Sequence, residues 1–261
     1  QLQQLQPGGS TGSGSSRSDE NQARPAGPPI RLRNGEQWAL IPAVPDDLTV
    51  PPGLEYLLPC KRAHVRQKTD LVEVFTSFDT PNKYAIYNDQ GHFMYYAREQ
   101  QRGGDFLAAQ FFRENRGFYF TVMDGLGRPV FSIARSSKMW TNCEMRVDAP
   151  PGKPAGYVTY VSSYCSRGVL TIYDRKKVPV LSIPFPDACD CGGDRGYPVM
   201  AGSGSRVGAI VRQYPGFMQA AFTTCDNFAL QFPKDLDVRI KCTLLACAIM
   251  IDFIDFEDKR R

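Results

Sequence analysis

Four segments of this chain repeat one pattern, two apolar-alternating runs on either side of a short polar turn: Lys83–Glu99 (KYAIYNDQGHFMYYARE), Phe118–Arg135 (FYFTVMDGLGRPVFSIAR), Val169–Phe185 (VLTIYDRKKVPVLSIPF) and Tyr197–Tyr214 (YPVMAGSGSRVGAIVRQY). A strand points alternate side chains to opposite faces, so a period of two split by a turn predicts an antiparallel hairpin. Asn88, Asp124 and Asp174 occupy the same place in the first three. Further runs at Leu71–Phe78, Glu144–Pro150, Gly156–Val161 and Phe228–Phe232 bring the expected total to about twelve strands. So many antiparallel strands must hide their edges, and closing into a barrel removes edges altogether. A barrel of about twelve strands is too wide for its own side chains to fill, so another element has to occupy the middle.

The C-terminal run supplies a candidate. From Cys242 to Ile251 the chain is uninterrupted apolar sequence, continuing as Phe253, Ile254 and Phe256 around Asp252 and Asp255. A bilayer span needs about 20 predominantly apolar residues, and a run of roughly 10 to 14 is more often a buried helix. Extending the helix over Val238–Glu257 reaches the length but takes in Arg239, Lys241, Asp252 and Asp255. An aspartate at the centre of a span costs about 2.5 to 3.5 kcal/mol, less where it can snorkel at an end. These magnitudes favour a helix inside the barrel, with Leu244, Leu245, Ile249 and Ile251 among its core residues, and leave a membrane helix as the alternative.

Composition divides the chain into a tail and one domain. Gln1 to Arg24 is Gln, Gly and Ser with a few charges, and Pro25, Pro28, Pro29, Pro42 and Pro45 follow before the PPG at Pro51–Gly53. Such a segment has too little apolar surface to offset its ordering entropy, so residues 1–50 read as a disordered tail and 51–257 as the folded domain. PAGP and PAVP in the tail have the spacing of polyproline ligands for SH3-type domains, alongside the reading as a plain spacer.

The net charge of +4 does not imply nucleic acid. Basic clusters at Lys61–Lys68, Arg175–Lys177 and Lys259–Arg261 read as solvated loops and termini, with contact to anionic lipid head groups as the second reading. Eight cysteines in a chain of this length point to reduced thiols, since disulfide frameworks belong to small secreted domains. The CDC at Cys189 and Cys191 is the one tight pair; loop thiols, S-acylation and metal binding all stay open there. The two histidines, His64 and His92, join no nucleophilic constellation, and GLGRP and GSGS read as hairpin turns instead of phosphate loops.

Several long motifs, in order from about Pro51 to Glu257, resemble the phospholipid scramblase family: PPGLEYL at Pro51–Leu57, NKYAIYNDQG at Asn82–Gly91, APPGKPAGYV at Ala149–Val158, and FTTCDNFALQFPKDLDVRIK followed by LLACAIMIDFIDFE. The resemblance implies a Tubby-like fold, a twelve-strand barrel around a hydrophobic C-terminal helix. It implies passive, ATP-independent movement of phospholipids between leaflets in both directions when calcium rises. It also implies a membrane protein, at the plasma membrane with the main domain cytoplasmic, held by a single pass that matches Val238–Glu257. A single helix makes a poor path for a polar head group, so homo-oligomers are expected. The second function class is a membrane-tethered lipid-binding or signalling adaptor without translocation.

The resemblance places the family's calcium segment on Thr224–Asp235. Asp226, Asn227 and Asp235 match in place, while Thr224 stands where the family has an acidic residue. Read as an EF-hand the segment fails, because Phe228 and Phe232 fall at ligand positions and Ala229 at the invariant glycine. FALQF reads equally well as a strand ended by Pro233, with Asp235 or Asp237 near a helix N-terminus. Of the family's cysteine cluster only Cys143 remains, which leaves Cys143, Cys189 and Cys191 as the candidates for S-acylation. The family's nuclear import segment would lie at Val207–Phe217, where Arg212 is the sole basic residue, and import is not carried over.

Overall fold

The computed structural model describes residues 36–46, 48–67, 82–100, 117–136, 142–163, 166–186, 193–213, 227–233 and 235–258. Twelve strands follow one another in an up-and-down order: β1 (Arg62–Gln67), β2 (Lys83–Asn88), β3 (Phe93–Glu99), β4 (Phe118–Met123), β5 (Pro129–Arg135), β6 (Asn142–Asp148), β7 (Pro154–Ser163), β8 (Ser166–Asp174), β9 (Pro179–Pro184), β10 (Arg195–Ala201), β11 (Arg206–Gln213) and β12 (Asn227–Gln231). Each pairs antiparallel with its sequence neighbours, and β1 pairs with β12 to close the barrel. All four expected hairpins are present, as β2–β3, β4–β5, β8–β9 and β10–β11.

The repeated polar residue explains why three of those hairpins look alike. Asn88 Oδ1 accepts the backbone N–H of Gln90 and His92, Asp124 Oδ1 those of Leu126 and Arg128, and Asp174 Oδ1 those of Lys176 and Val178, all at 2.8–3.0 Å. One side-chain oxygen thus satisfies two turn amides that the ladder cannot reach. The third residue after it has positive φ, and in two of the turns it is a glycine, Gly91 and Gly127.

One segment departs from the sequence reading. The basic cluster Lys61–Lys68, expected as solvated loop, contains β1, which pairs on one side with β12 and on the other with β2. Ala63 and Val65 point into the core, while Arg62 and Arg66 are exposed and His64 is half-buried. Long cationic side chains on the outer face concealed an alternation of only two apolar positions. The expected strand at Leu71–Phe78 lies outside the described residues. Ordered packing also begins ahead of Pro51: Trp38 bridges to Phe93 and meets its ring edge-on at 4.6 Å, over an outer patch of Ala85, Tyr87, Phe93 and Tyr96.

Helix α1 (Val238–Asp258) fills the lumen. Asp237, one of the two aspartates considered for this role, caps it by accepting the Arg239 N–H at 2.7 Å. Residues Cys242 and Leu244–Ile251 are all at most 1% exposed, and their neighbours are the inward residues of the strands. A helix apolar on every face needs a complete apolar enclosure; the barrel wall provides it. The closest approach is at β7, where a Cβ on Gly156 would collide with the Thr243 hydroxyl.

Alternating strand direction sorts the connections. The turns β2–β3, β4–β5, β6–β7, β8–β9 and β10–β11 share one end of the barrel, here the hairpin end, and α1 starts there because it follows β12. Its C-terminus lies toward the opposite end. A 21-residue helix is about 32 Å long, enough to run through the barrel.

Candidate functional site: a helix locked in the lumen

Two sets of polar contacts hold α1 at its two ends. At the hairpin end the chain makes a 3-10 turn at Glu55–Leu57 just ahead of β1. Lys241 Nζ donates to the carbonyl oxygens of Leu57 (2.8 Å), Leu58 (3.1 Å) and Cys60 (3.0 Å). The ammonium is buried, and three acceptors replace its hydration. Burial pushes the Lys241 pKa down from its ordinary value, opposed by the charges of Cys60 and Asp235. The same burial pushes the Cys60 thiol up to about 12.

At the opposite end, Asp252 and Asp255 lie in the last turns of the helix, where negative charge opposes the macrodipole. Both are buried, and both have partners on the wall. Tyr84 on β2 donates its hydroxyl to Asp252 Oδ2 at 2.7 Å. Tyr197 on β10 donates to Asp255 Oδ2, while Arg195 and Arg212 each approach an Asp255 oxygen at 3.2 Å. Burial, then the Asp255 charge and hydrogen bond, push the Tyr197 phenol well up. The two guanidinium groups supply the positive charge that the helix end lacks. Removing one member of such a cluster leaves its partners desolvated without compensation. Asp255→Ala is expected to cost about 3 kcal/mol, moderated by the 15–20% exposure of the arginine side chains. Urea unfolding checks this, and a double-mutant cycle with Tyr197→Phe should show coupling; additive effects would reject the linkage.

The two expected metal residues that are described, Asn227 and Asp235, do not converge. Thr224 and Asp226 lie outside the described residues. Asn227 opens β12, paired opposite Arg66 and Gln213, whereas Asp235 is exposed in the turn beyond the other end of that strand. An extended strand puts roughly 13 Å between Asn227 and Gln231 alone. Calcium oxygens sit about 2.3–2.6 Å from the ion, so one ion cannot reach both Asn227 and Asp235. Among the described residues no group of three His, Cys, Asp or Glu side chains could hold a metal ion. The strand reading of FALQF is the observed one.

The remaining candidates separate by burial. Leu244, Leu245, Ile249 and Ile251 are core. Cys143 is half-buried on β6, with the Arg135 Nε–H directed at its sulfur at 2.7 Å. Cys189 and Cys191 lie outside the described residues. Cys242 and Cys247 are enclosed in α1, and burial pushes both thiols up. Sequence reading missed the helix-holding partners Tyr84, Tyr197, Arg195 and Arg212. The one available signal was the pair of aspartates interrupting an apolar run, which announces that partners exist without saying where.

The Scramblase family model matches residues 42–258. The chain belongs to the scramblase family. Among relatives, phospholipid scramblase 1 of Mus musculus is 37% identical over 241 residues, covering 89% of this chain and 70% of that protein. Phospholipid scramblase 2 of Homo sapiens is 34% identical over 245 residues, covering 90% and 81%. Phospholipid scramblase family member 5 of Homo sapiens is 30% identical over 243 residues, covering 88% of each. No solved structure matches. In this member of the scramblase family the apolar C-terminal segment is the core of the barrel, and of the two readings of that segment the structure takes the buried one. Among the described residues no helix is long and apolar enough to cross a membrane.

Proposed function

We propose that this protein is a passive phospholipid translocator, moving lipids between membrane leaflets in both directions without ATP or covalent catalysis. Membership of the scramblase family carries the proposal, since its relatives bear the name phospholipid scramblase. The filled lumen constrains how such a protein works. A polar head group leaving water for hydrocarbon loses its hydrogen bonds, which costs several kcal/mol unless a wet or thinned path is offered. With α1 occupying the barrel, that path runs along the outside of the protein, at its boundary with lipid. One barrel wall makes half a groove at most, so two or more copies working together belong to the proposal, as does residence at the cytoplasmic face of the plasma membrane.

Calcium responsiveness is part of the same proposal, without one ion bridging Asn227 and Asp235. The test is the purified protein reconstituted in vesicles with a fluorescent lipid and a quencher that reaches the outer leaflet only, with and without calcium. Complete quenching with protein present is expected, against half in protein-free vesicles, and Asp235→Ala should keep the wild-type calcium response. Quenching that stops at half with and without calcium would reject translocation.

That last outcome would favour the second reading, a membrane-bound adaptor that contacts lipids and recruits SH3-type domains through PAGP and PAVP. The observation on its side is the sealed lumen together with the lack of a long apolar helix among the described residues.

A further inference from the structure

Four consecutive turns at the hairpin end, from β4 to β11, share a composition that hairpin formation does not require. Leu126 and Val178 stand out from two of the tips at 53% and 51% exposure. Exposed around them are Arg128, Lys153, Arg175, Lys176, Lys177 and Arg206. The carboxylates of the same turns are already engaged. Asp124 is buried against Arg128, Asp148 pairs with Arg146, and Asp174 is turned back onto the amides of Lys176 and Val178. The outward charge of this sector is therefore positive.

Lys177 differs from its counterparts in the neighbouring turns. It has φ +61, the position filled by Gly91, Gly127 and Gly204 in the neighbouring turns. A left-handed conformation disfavours any side chain with a Cβ, and lysine has no local hydrogen bond to offset this as asparagine would. Its ammonium lies 3.5 Å from a Glu144 carboxylate oxygen and over the Tyr157 ring, so Arg175 and Lys176 carry the outward charge of this turn.

Single apolar tips set among cations fit a bilayer better than a protein partner. Protein interfaces concentrate apolar side chains at a charge-depleted centre. At a membrane surface the two kinds of residue divide the work, apolar tips entering the head-group layer while cations meet lipid phosphates. We propose that the turns between β4 and β11 are a docking face for a bilayer containing anionic phospholipid, with Leu126 and Val178 entering the head-group layer. This rests on the phospholipid reading above and gives it a surface. The rest of the same end, where β12, β1 and β2 meet, exposes both signs, Asp89, Asp235 and Asp237 beside Lys61 and Arg62, so the predominantly positive sector is the β4–β11 side.

The test uses the full chain with preformed vesicles and flotation. Binding is expected to vesicles of phosphatidylcholine with phosphatidylserine and to be absent with phosphatidylcholine alone. The double variant Arg175→Gln, Lys176→Gln should bind about thirtyfold more weakly at an unchanged melting temperature. In Val178→Trp, the added emission should shift to the blue on mixed vesicles. Wild-type affinity in the double variant, equal binding to both vesicle types, or a bound Val178→Trp protein with unshifted emission each overturns the face. Lipid exchange after detergent reconstitution is read separately. Exchange without binding by this face rejects the docking proposal alone; binding without exchange supports the face and rejects translocation.

Discussion

Replacing Leu245 with aspartate unfolds the barrel. Leu245 is 0% exposed at the middle of α1, enclosed by the inward residues of the strands. The substitution removes a core side chain, worth about 2–5 kcal/mol, and places a carboxylate where no donor waits, costing several kcal/mol more. A domain is stable by about 5–15 kcal/mol in total, so the two losses together approach or exceed the whole. Removing everything after Lys234 goes further and empties the lumen. The expected product is insoluble or lacks a cooperative transition, whereas Leu245→Met, which conserves volume, should fold. A monomeric truncated chain melting cooperatively near the full-length temperature would falsify the central role given to α1.

The second large effect is alkaline. Cys60, Cys242 and Cys247 are buried thiols whose pKa values are pushed above the ordinary 9.0, in each case first by burial, and the Cys60 value reaches about 12. Buried Tyr95 and Tyr197 are likewise pushed above their ordinary 10.0. The folded state keeps protons that the unfolded chain gives up, so this stability is complete below pH 9 and falls as pH rises toward the folded values. At about pH 11 the Cys60 thiol alone removes about 2–3 kcal/mol, and Cys242 and Cys247 act in the same direction. Lys241 acts in the opposite sense, since its lowered pKa makes folding easier as pH climbs to 10.5, but it is one group against several. Melting temperature should fall steeply above pH 9, and Cys242→Ala with Cys247→Ala should flatten the slope. A melting curve unchanged up to about pH 11 would show that these thiols titrate freely.

Much of this arrangement was legible in the sequence because it repeats. Period-two runs with Asn88, Asp124 and Asp174 in register stated the hairpins, and counting strands led to closure and to a filled lumen. The short apolar run favoured burial over a bilayer span and was too apolar for a surface. What escaped reading depends on distance or disguise. β1 hid behind Arg62, His64 and Arg66, because alternation is hard to see when the outward residues are long and charged and the inward ones are Ala63 and Val65. The partners of Lys241 are backbone carbonyls, which no residue type announces. Arg195 and Arg212 begin and end a hairpin like any other, and only the fold brings them to Asp255. The calcium segment matched its family in residue type, yet a strand stretches Asn227 and Asp235 apart, and matching letters do not report that extension.

That α1 follows all twelve strands bears on how the protein is made. A ribosome delivers all twelve strands before the element they wrap around, and the pair that closes the ring, β1 with β12, joins the first strand to the last. Contacts of such long range make folding slow, and the incomplete chain meanwhile exposes its inner faces and free strand edges. No fragment that stops short of α1 holds a finished core, so the nascent chain is expected to need protection until α1 has emerged. A premature stop codon between β12 and the middle of α1 is therefore expected to act as a complete loss, because it discards the core and leaves the wall.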